Sequence, residues 1–234
     1  MTHPVMQLSV SRRGFMRNSA LLAVGSALAA TALSNGTAFA SAQNAPLFQS
    51  AAQDLDILNY ALTLEHLESA GYKAINASGL LSGVAAQYFQ DFGAHEATHV
   101  DVLTQTINSL GGTPVKAQAS YNFPAFKSAD EVLVFFRDVE ELGAAAYLAQ
   151  APRLQNGDLL TAAVSIHNVE AQHAAALNDL TGVAPSPAFG TPKSMEEVLA
   201  VVTPLLMAPG TVPTEMPPTG RGGMQRRRHA MQAR

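Results

Sequence analysis

Two copies of one short pattern constrain this chain more than any other feature: Glu96-x-x-His99 and Glu170-x-x-His173. On a helix this spacing places both side chains on one face about a turn apart, within reach of a single ion. Ten glutamates and seven histidines among 234 residues would produce roughly 0.3 copies by chance. One copy would mean little. Each copy also follows a segment with its own glutamate, Glu65 thirty-one residues before Glu96 and Glu140 thirty residues before Glu170. Tyr72 and Tyr147 come two turns after those glutamates. The two halves therefore read as an internal repeat.

Four long segments between about residues 52 and 206 carry a helical apolar stripe, and the same interruption recurs in each. The stripes run through Leu58, Leu62, Glu65 and Tyr72; Phe92, Glu96, His99, Leu103 and Ile107; Leu133, Phe136, Glu140 and Tyr147; and Ile166, Glu170, His173 and Leu177. Breaks fall at Gly111-Gly112-Thr113-Pro114, at Asn156-Gly157 and from Gly182 to Pro192. Ser128 and Ser194 each stand three residues before a glutamate, the spacing of a reciprocal N-terminal cap; the second opens a short fifth helix ending near Leu206. The expected fold is all-α, a four-helix bundle with a short fifth helix. Hydrophobic content of 47% with only 14% charged residues suits closely packed helices.

A charge on a buried face is costly unless paired or bound to metal, and four converging carboxylates resist ionisation together. Two divalent cations would balance four carboxylates, with the two histidines completing the coordination as neutral ligands. The chain has no cysteine, so any metal is held by nitrogen and oxygen. One glutamate from each of two helices and Glu-x-x-His from each of the other two is the di-iron and di-manganese carboxylate pattern. The stretches Ile57 to Glu68, His95 to Val100, Glu140 to Tyr147 and Glu170 to His173 resemble the ferritin-like family that includes desiccation-related and stress-response proteins. The resemblance covers about residues 52–206. It implies that Glu65, Glu96, His99, Glu140, Glu170 and His173 are the ligands, with Glu96 and Glu170 as bridges between the ions.

Oxygen-rich sites with two imidazoles suit manganese, iron and zinc, and availability during folding favours iron or manganese. Dioxygen or peroxide would be the small-molecule partner of a ferroxidase or peroxide-consuming centre. The alternatives are a metal-binding or storage module without turnover, and a structural stress protein braced by metal. No phosphate loop or nucleophile triad points to another enzyme class. Tyr72 and Tyr147 are candidates to hydrogen-bond a ligand or to pass an electron, or serve as core tyrosines. Glu68 and Glu141 compete for the lone-glutamate roles, but Glu65 and Glu140 share the apolar stripe and are preferred. His167, a turn before Glu170, is weighed as an extra ligand, while it, His66 and His95 read better as partly exposed histidines. A homo-oligomer is compatible with the resemblance.

The ends differ from the middle. Ser11-Arg12-Arg13-Gly14-Phe15-Met16, an apolar stretch from Ala20 to about Leu33, and Ala38-Phe39-Ala40 before Ser41 resemble a twin-arginine (Tat) signal peptide. The expected organisation is a signal over 1–40, a linker over 41–51, the bundle over 52–206 and a Pro/Gly- and Arg-rich flexible tail over 207–234. The Tat export machinery would then be a partner, and the mature protein periplasmic or extracellular. The tail holds Arg221, Arg226, Arg227, Arg228 and Arg234, read as conferring solubility, and the acidic body is not a nucleic-acid binder. Replacing Arg12 and Arg13 together by lysine is expected to leave the precursor in the cytoplasm, as cell fractionation would show; normal export of the double variant would refute the twin-arginine reading.

Overall fold

The computed structural model describes residues 41–207. It contains α1 (Ser41–Ser78), α2 (Gly83–Ser109), α3 (Ala129–Gln150), α4 (Gly157–Leu180) and α5 (Met195–Leu206), with a 3-10 turn at Ala151–Arg153 and no strand among the described residues. This is the all-α bundle with a short fifth helix that the helical period implies. α1 runs back through 41–51, the stretch that the sequence reading treats as a linker. The expected export signal over 1–40, and the expected tail beyond Met207, lie outside the described residues. Among the described residues no helix is long and apolar enough to cross a membrane.

Local chemistry sets the helix ends. Gly111, at φ 76°, turns the chain away after α2, a conformation that side chains with a Cβ disfavour. At α5 the reciprocal cap forms as expected: Ser194 Oγ accepts from Glu197 N, and Glu197 Oε2 accepts from Ser194 N at 2.7 Å. At α3 only half of it forms. Ser128 Oγ accepts from Glu131 N, but the Glu131 carboxylate accepts from Lys127 N, one residue earlier. Asn156, expected to end the third helix, instead starts α4, its Oδ1 accepting from Asp158 N and Leu159 N. α3 has already ended at Gln150.

α1 packs against α2 and α3 against α4, and the two hairpins meet through α1 with α3 and α2 with α4. The long 110–128 connection is tied back onto the bundle. Val115 N donates to Asn59 Oδ1 at 2.8 Å on α1, and Asn122 N donates to Leu205 O at 2.8 Å on α5. Val198 and Val202 of α5 bury themselves against Tyr60, Leu64 and Leu67 of α1 and Leu142 and Ala146 of α3, closing the outside of that seam.

Inside, two apolar layers lie on either side of a polar belt. One is mostly aliphatic, built from Ile57, Leu58, Leu62, Leu103, Ile107, Leu159, Ala163 and Ile166 with Tyr147. The other is mostly aromatic, built around Tyr72, Phe89, Phe92, Phe136 and Leu177. The Phe136 ring lies 4.6 Å from that of Tyr72 and 5.0 Å from that of Phe89, centroid to centroid, both tilted or edge-on. Truncating Phe136 empties the middle of this layer. Phe136→Ala is expected to lower unfolding free energy by about 3–5 kcal/mol, measured by urea denaturation of the metal-free protein.

Candidate metal centre

All six residues marked by the sequence pattern lie in the belt between the two layers. Glu65, Glu96, Glu140 and Glu170 are fully buried, and His99 and His173 nearly so. Each helix contributes because its stripe turns inward at that level: α1 brings Glu65, α2 Glu96 and His99, α3 Glu140, and α4 Glu170 and His173.

The rings aim the same atom inward. His99 Nδ1 lies 3.0 Å from Glu96 Oε2, 3.1 Å from Glu65 Oε2 and 3.4 Å from Glu170 Oε1. His173 Nδ1 lies 3.1 Å from Glu96 Oε1 and 3.2 Å from Glu140 Oε2. An imidazole nitrogen carries at most one proton and cannot serve three carboxylates at once. Glu96 Oε1 and both oxygens of Glu170 are buried without a hydrogen bond, despite the nearby ring nitrogens, because the approach is badly directed for one. Among the described residues no lysine or arginine forms an ion pair with this cluster.

Two groups of donors are close enough to surround an ion each: Glu65, Glu96, His99 and Glu170, and Glu96, Glu140, Glu170 and His173. Glu96 and Glu170 belong to both. Orphaned inward oxygens, convergent imidazole nitrogens and an all-oxygen-and-nitrogen donor set fit divalent cations.

The carboxyls and rings of the belt shift one another's ionisation. Burial and the Glu65 charge hold Glu96 well above the usual carboxylate range, and burial with Glu96, Glu140 and Glu65 does the same to Glu170. For Glu65 burial pushes upward too, but the hydrogen bond and charge of His99 overcome it and leave its pKa lowered. His99 is disfavoured as a cation by burial, yet the facing carboxylates of Glu170, Glu65 and Glu96 raise its pKa. The belt thus favours charge on Glu65 and His99 and disfavours it on Glu96 and Glu170.

The tyrosines connect the halves crosswise. Tyr72 on α1 donates its hydroxyl to Glu140 Oε1 on α3, and Tyr147 on α3 donates to Glu65 Oε1 on α1 at 2.5 Å. Each lone glutamate is thus held by the tyrosine of the other repeat.

Of the competing residues, Glu141 is exposed and accepts from Asn178 Nδ2 at 3.0 Å. His167 Nδ1 lies 3.0 Å from the Ala144 carbonyl, away from the cluster, and His66 Nε2 lies 3.3 Å from the Val115 carbonyl. Glu68 behaves differently. It is 4% exposed, and burial together with Glu170, Glu140, Glu65 and Glu96 pushes its pKa well up. Sequence phase sets Glu68 against Glu65 for one role, whereas the structure buries both. The i,i+3 spacing on one face was the available signal. Room for it comes from Gly143: a Cβ there would sit 2.8 Å from Glu170 Oε2 and 2.9 Å from Glu68 Oε1.

A model described as the ferritin-like domain matches residues 53–183. A crystal structure of a conserved hypothetical protein from Mycobacterium tuberculosis, 23% identical, aligns over 60% of this chain and 98% of its own with a TM-score of 0.53. A ferritin-like, diiron-carboxylate protein from Bacillus anthracis str. Ames, 22% identical, aligns over 56% and 97% with a TM-score of 0.50. At these identities the likeness is one of fold. No curated protein matches the chain.

Gly143 gives the belt a sharp test. Gly143→Ala must displace Glu68, Glu170 or α3 itself, so it is expected to lower metal content at a given free-metal concentration and to cost about 1–3 kcal/mol of metal-free stability from overpacking. Metal analysis by mass spectrometry and urea denaturation check the two parts.

Proposed function

This chain belongs to the ferritin-like domain family, and from that premise we propose that it is an exported di-metal carboxylate protein that binds two iron or manganese ions and protects against oxidative or desiccation stress. The observation that carries the metal reading is the mismatch at His99 and His173, whose single inward nitrogens face more carboxylate oxygens than one proton can satisfy. A cation meets that geometry where a proton does not. Export rests on the Ser11 to Ser41 sequence pattern. The diiron-carboxylate character of the Bacillus anthracis structure supports iron as one of the two metals.

Glu65 and His99 would hold one ion and Glu140 and His173 the other, with Glu96 and Glu170 shared. A pair of redox-active ions supplies two electrons when bound, the number exchanged when peroxide is reduced to water. The chain's own contribution is positional. Tyr72 and Tyr147 fix the oxygens of Glu140 and Glu65 that they bond, leaving the other oxygen of each turned toward an inward imidazole. Burial raises the pKa of both phenols, with the carboxylates they bond adding to it, so both stay protonated donors at neutral pH. The aliphatic and aromatic layers wall the belt off from water along the bundle axis, strengthening every electrostatic interaction inside it.

Protein purified from its native compartment is expected to carry close to two iron or manganese ions per chain, and Glu170→Ala to lose most of them by removing a shared donor. Metal held at 100 times its Kd adds about 2.7 kcal/mol to stability, so the metal-free protein should melt lower. Faster ferrous oxidation or peroxide consumption by loaded protein than by Glu170→Ala or free metal supports the redox reading. Two bound ions without turnover would favour storage or bracing, and no bound metal would end the di-metal reading.

A further inference from the structure

His95 stands on α2 one residue before Glu96, and by sequence it is one of the histidines set aside as partly exposed. The residue is exposed, yet its ring reaches into the bundle. His95 Nδ1 lies 3.0 Å from His173 Nε2, the two rings inclined by only 2° with centroids 5.3 Å apart. Phe92, a turn earlier on the same helix, stacks on His173 at 3.9 Å. The plane of His173 is therefore set by Phe92 and its outer nitrogen by His95.

His173 turns Nδ1 to Glu96 and Glu140. A ring whose Nδ1 lone pair is given to a cation carries its proton on Nε2, and that proton needs an acceptor. His95 Nδ1 is in place to be that acceptor. His99 turns the same atom inward, but among the described residues no hydrogen bond is made by its Nε2. The repeat accounts for the difference. With Glu96 matched to Glu170 and His99 to His173, the position equivalent to His95 is Val169, which has no acceptor in its side chain. The tyrosine bonds to Glu65 and Glu140 are matched between the halves, and Glu68 flanks Gly143 together with Glu170, a donor common to both groups, so neither distinguishes the two positions.

We propose that His95 is the positioning residue of one half of the centre: it fixes the tautomer and orientation of His173, making the ion held by Glu140 and His173 the tighter of the two and the ion held by Glu65 and His99 the exchangeable one. This rests on the two-ion reading. Outer partners of metal-binding histidines typically contribute 10–100-fold in affinity, and among the described residues only one of the two inward histidines has one.

The test titrates metal-free, full-chain protein anaerobically with Mn(II), following free Mn(II) by electron paramagnetic resonance. Wild type is expected to bind two ions in two resolved steps. His95→Phe keeps an aromatic ring but removes the acceptor, and is expected to weaken the tight step by about 10–100-fold while leaving the weaker step and the metal-free melting temperature in place. His95→Asn, whose Oδ1 can take the position of Nδ1, is expected to recover most of the loss. Two unchanged steps in His95→Phe, an equal weakening of both, or no recovery with asparagine would overturn the proposal with the two-ion reading intact. A wild type that takes up fewer than two ions would overturn both.

Discussion

Four carboxylates that face one another in a core, with no lysine or arginine among the described residues paired to them, set the terms for the rest of this bundle. Four ionised glutamates at this burial would repel strongly, and no arrangement of hydrophobic side chains around them relieves that. The belt relieves it in part by favouring charge on Glu65 beside His99 and disfavouring it on Glu96 and Glu170. That solution leaves three carboxylate oxygens without hydrogen bonds. Divalent cations remove the repulsion and the unsatisfied oxygens together, which is why a cluster so unfavourable as plain core is reasonable as a binding site.

Packing follows from protecting that belt. Each of the four long helices crosses it once and then continues into an apolar layer on either side, so the same residues that stabilise the bundle also keep water from the carboxylates. Tyr72 and Tyr147 belong to both systems, with rings packed among apolar side chains and hydroxyls turned to glutamates of the opposite repeat. Because the two bonds cross between α1 and α3, sliding one hairpin against the other would break both. The belt therefore registers the halves as well as being enclosed by them.

Much of this was legible in the sequence because the helical stripe reports burial directly. Glu65, Glu96, Glu140 and Glu170 stand where leucine or phenylalanine would be expected, and all four are fully buried. The helix count and the fifth helix were legible for the same reason. What failed was whatever depends on rotamer or on contact between helices. Asn156 looked like a terminator because Asn-Gly marks turns, but its side chain reaches forward to cap α4. The Ser128 cap is incomplete because Glu131 finds a different backbone N–H. Glu68 and Glu65 appeared to exclude each other because phase alone offers one inward glutamate, whereas the bare Cα of Gly143 on another helix makes space for a second. His95 looked exposed because it is, and only the position of α4 shows what its ring touches.

The departures from the repeat are as informative as the repeat. Matching Glu65 to Glu140 and Tyr72 to Tyr147 pairs Glu68 with Gly143. Matching Glu96 to Glu170 and His99 to His173 pairs His95 with Val169. The donors that touch both halves are thus duplicated, while the groups behind them are not. A strictly symmetric belt would present two ions with the same field. Here one histidine has an outer hydrogen-bond partner where the matching position for its counterpart is valine, while the extra buried carboxyl of Glu68 lies over a glycine beside a donor common to both groups. Two ions in such a belt would be chemically distinct even though their nearest donors match, and the distinction would lie in side chains that no ligand pattern in the sequence singles out.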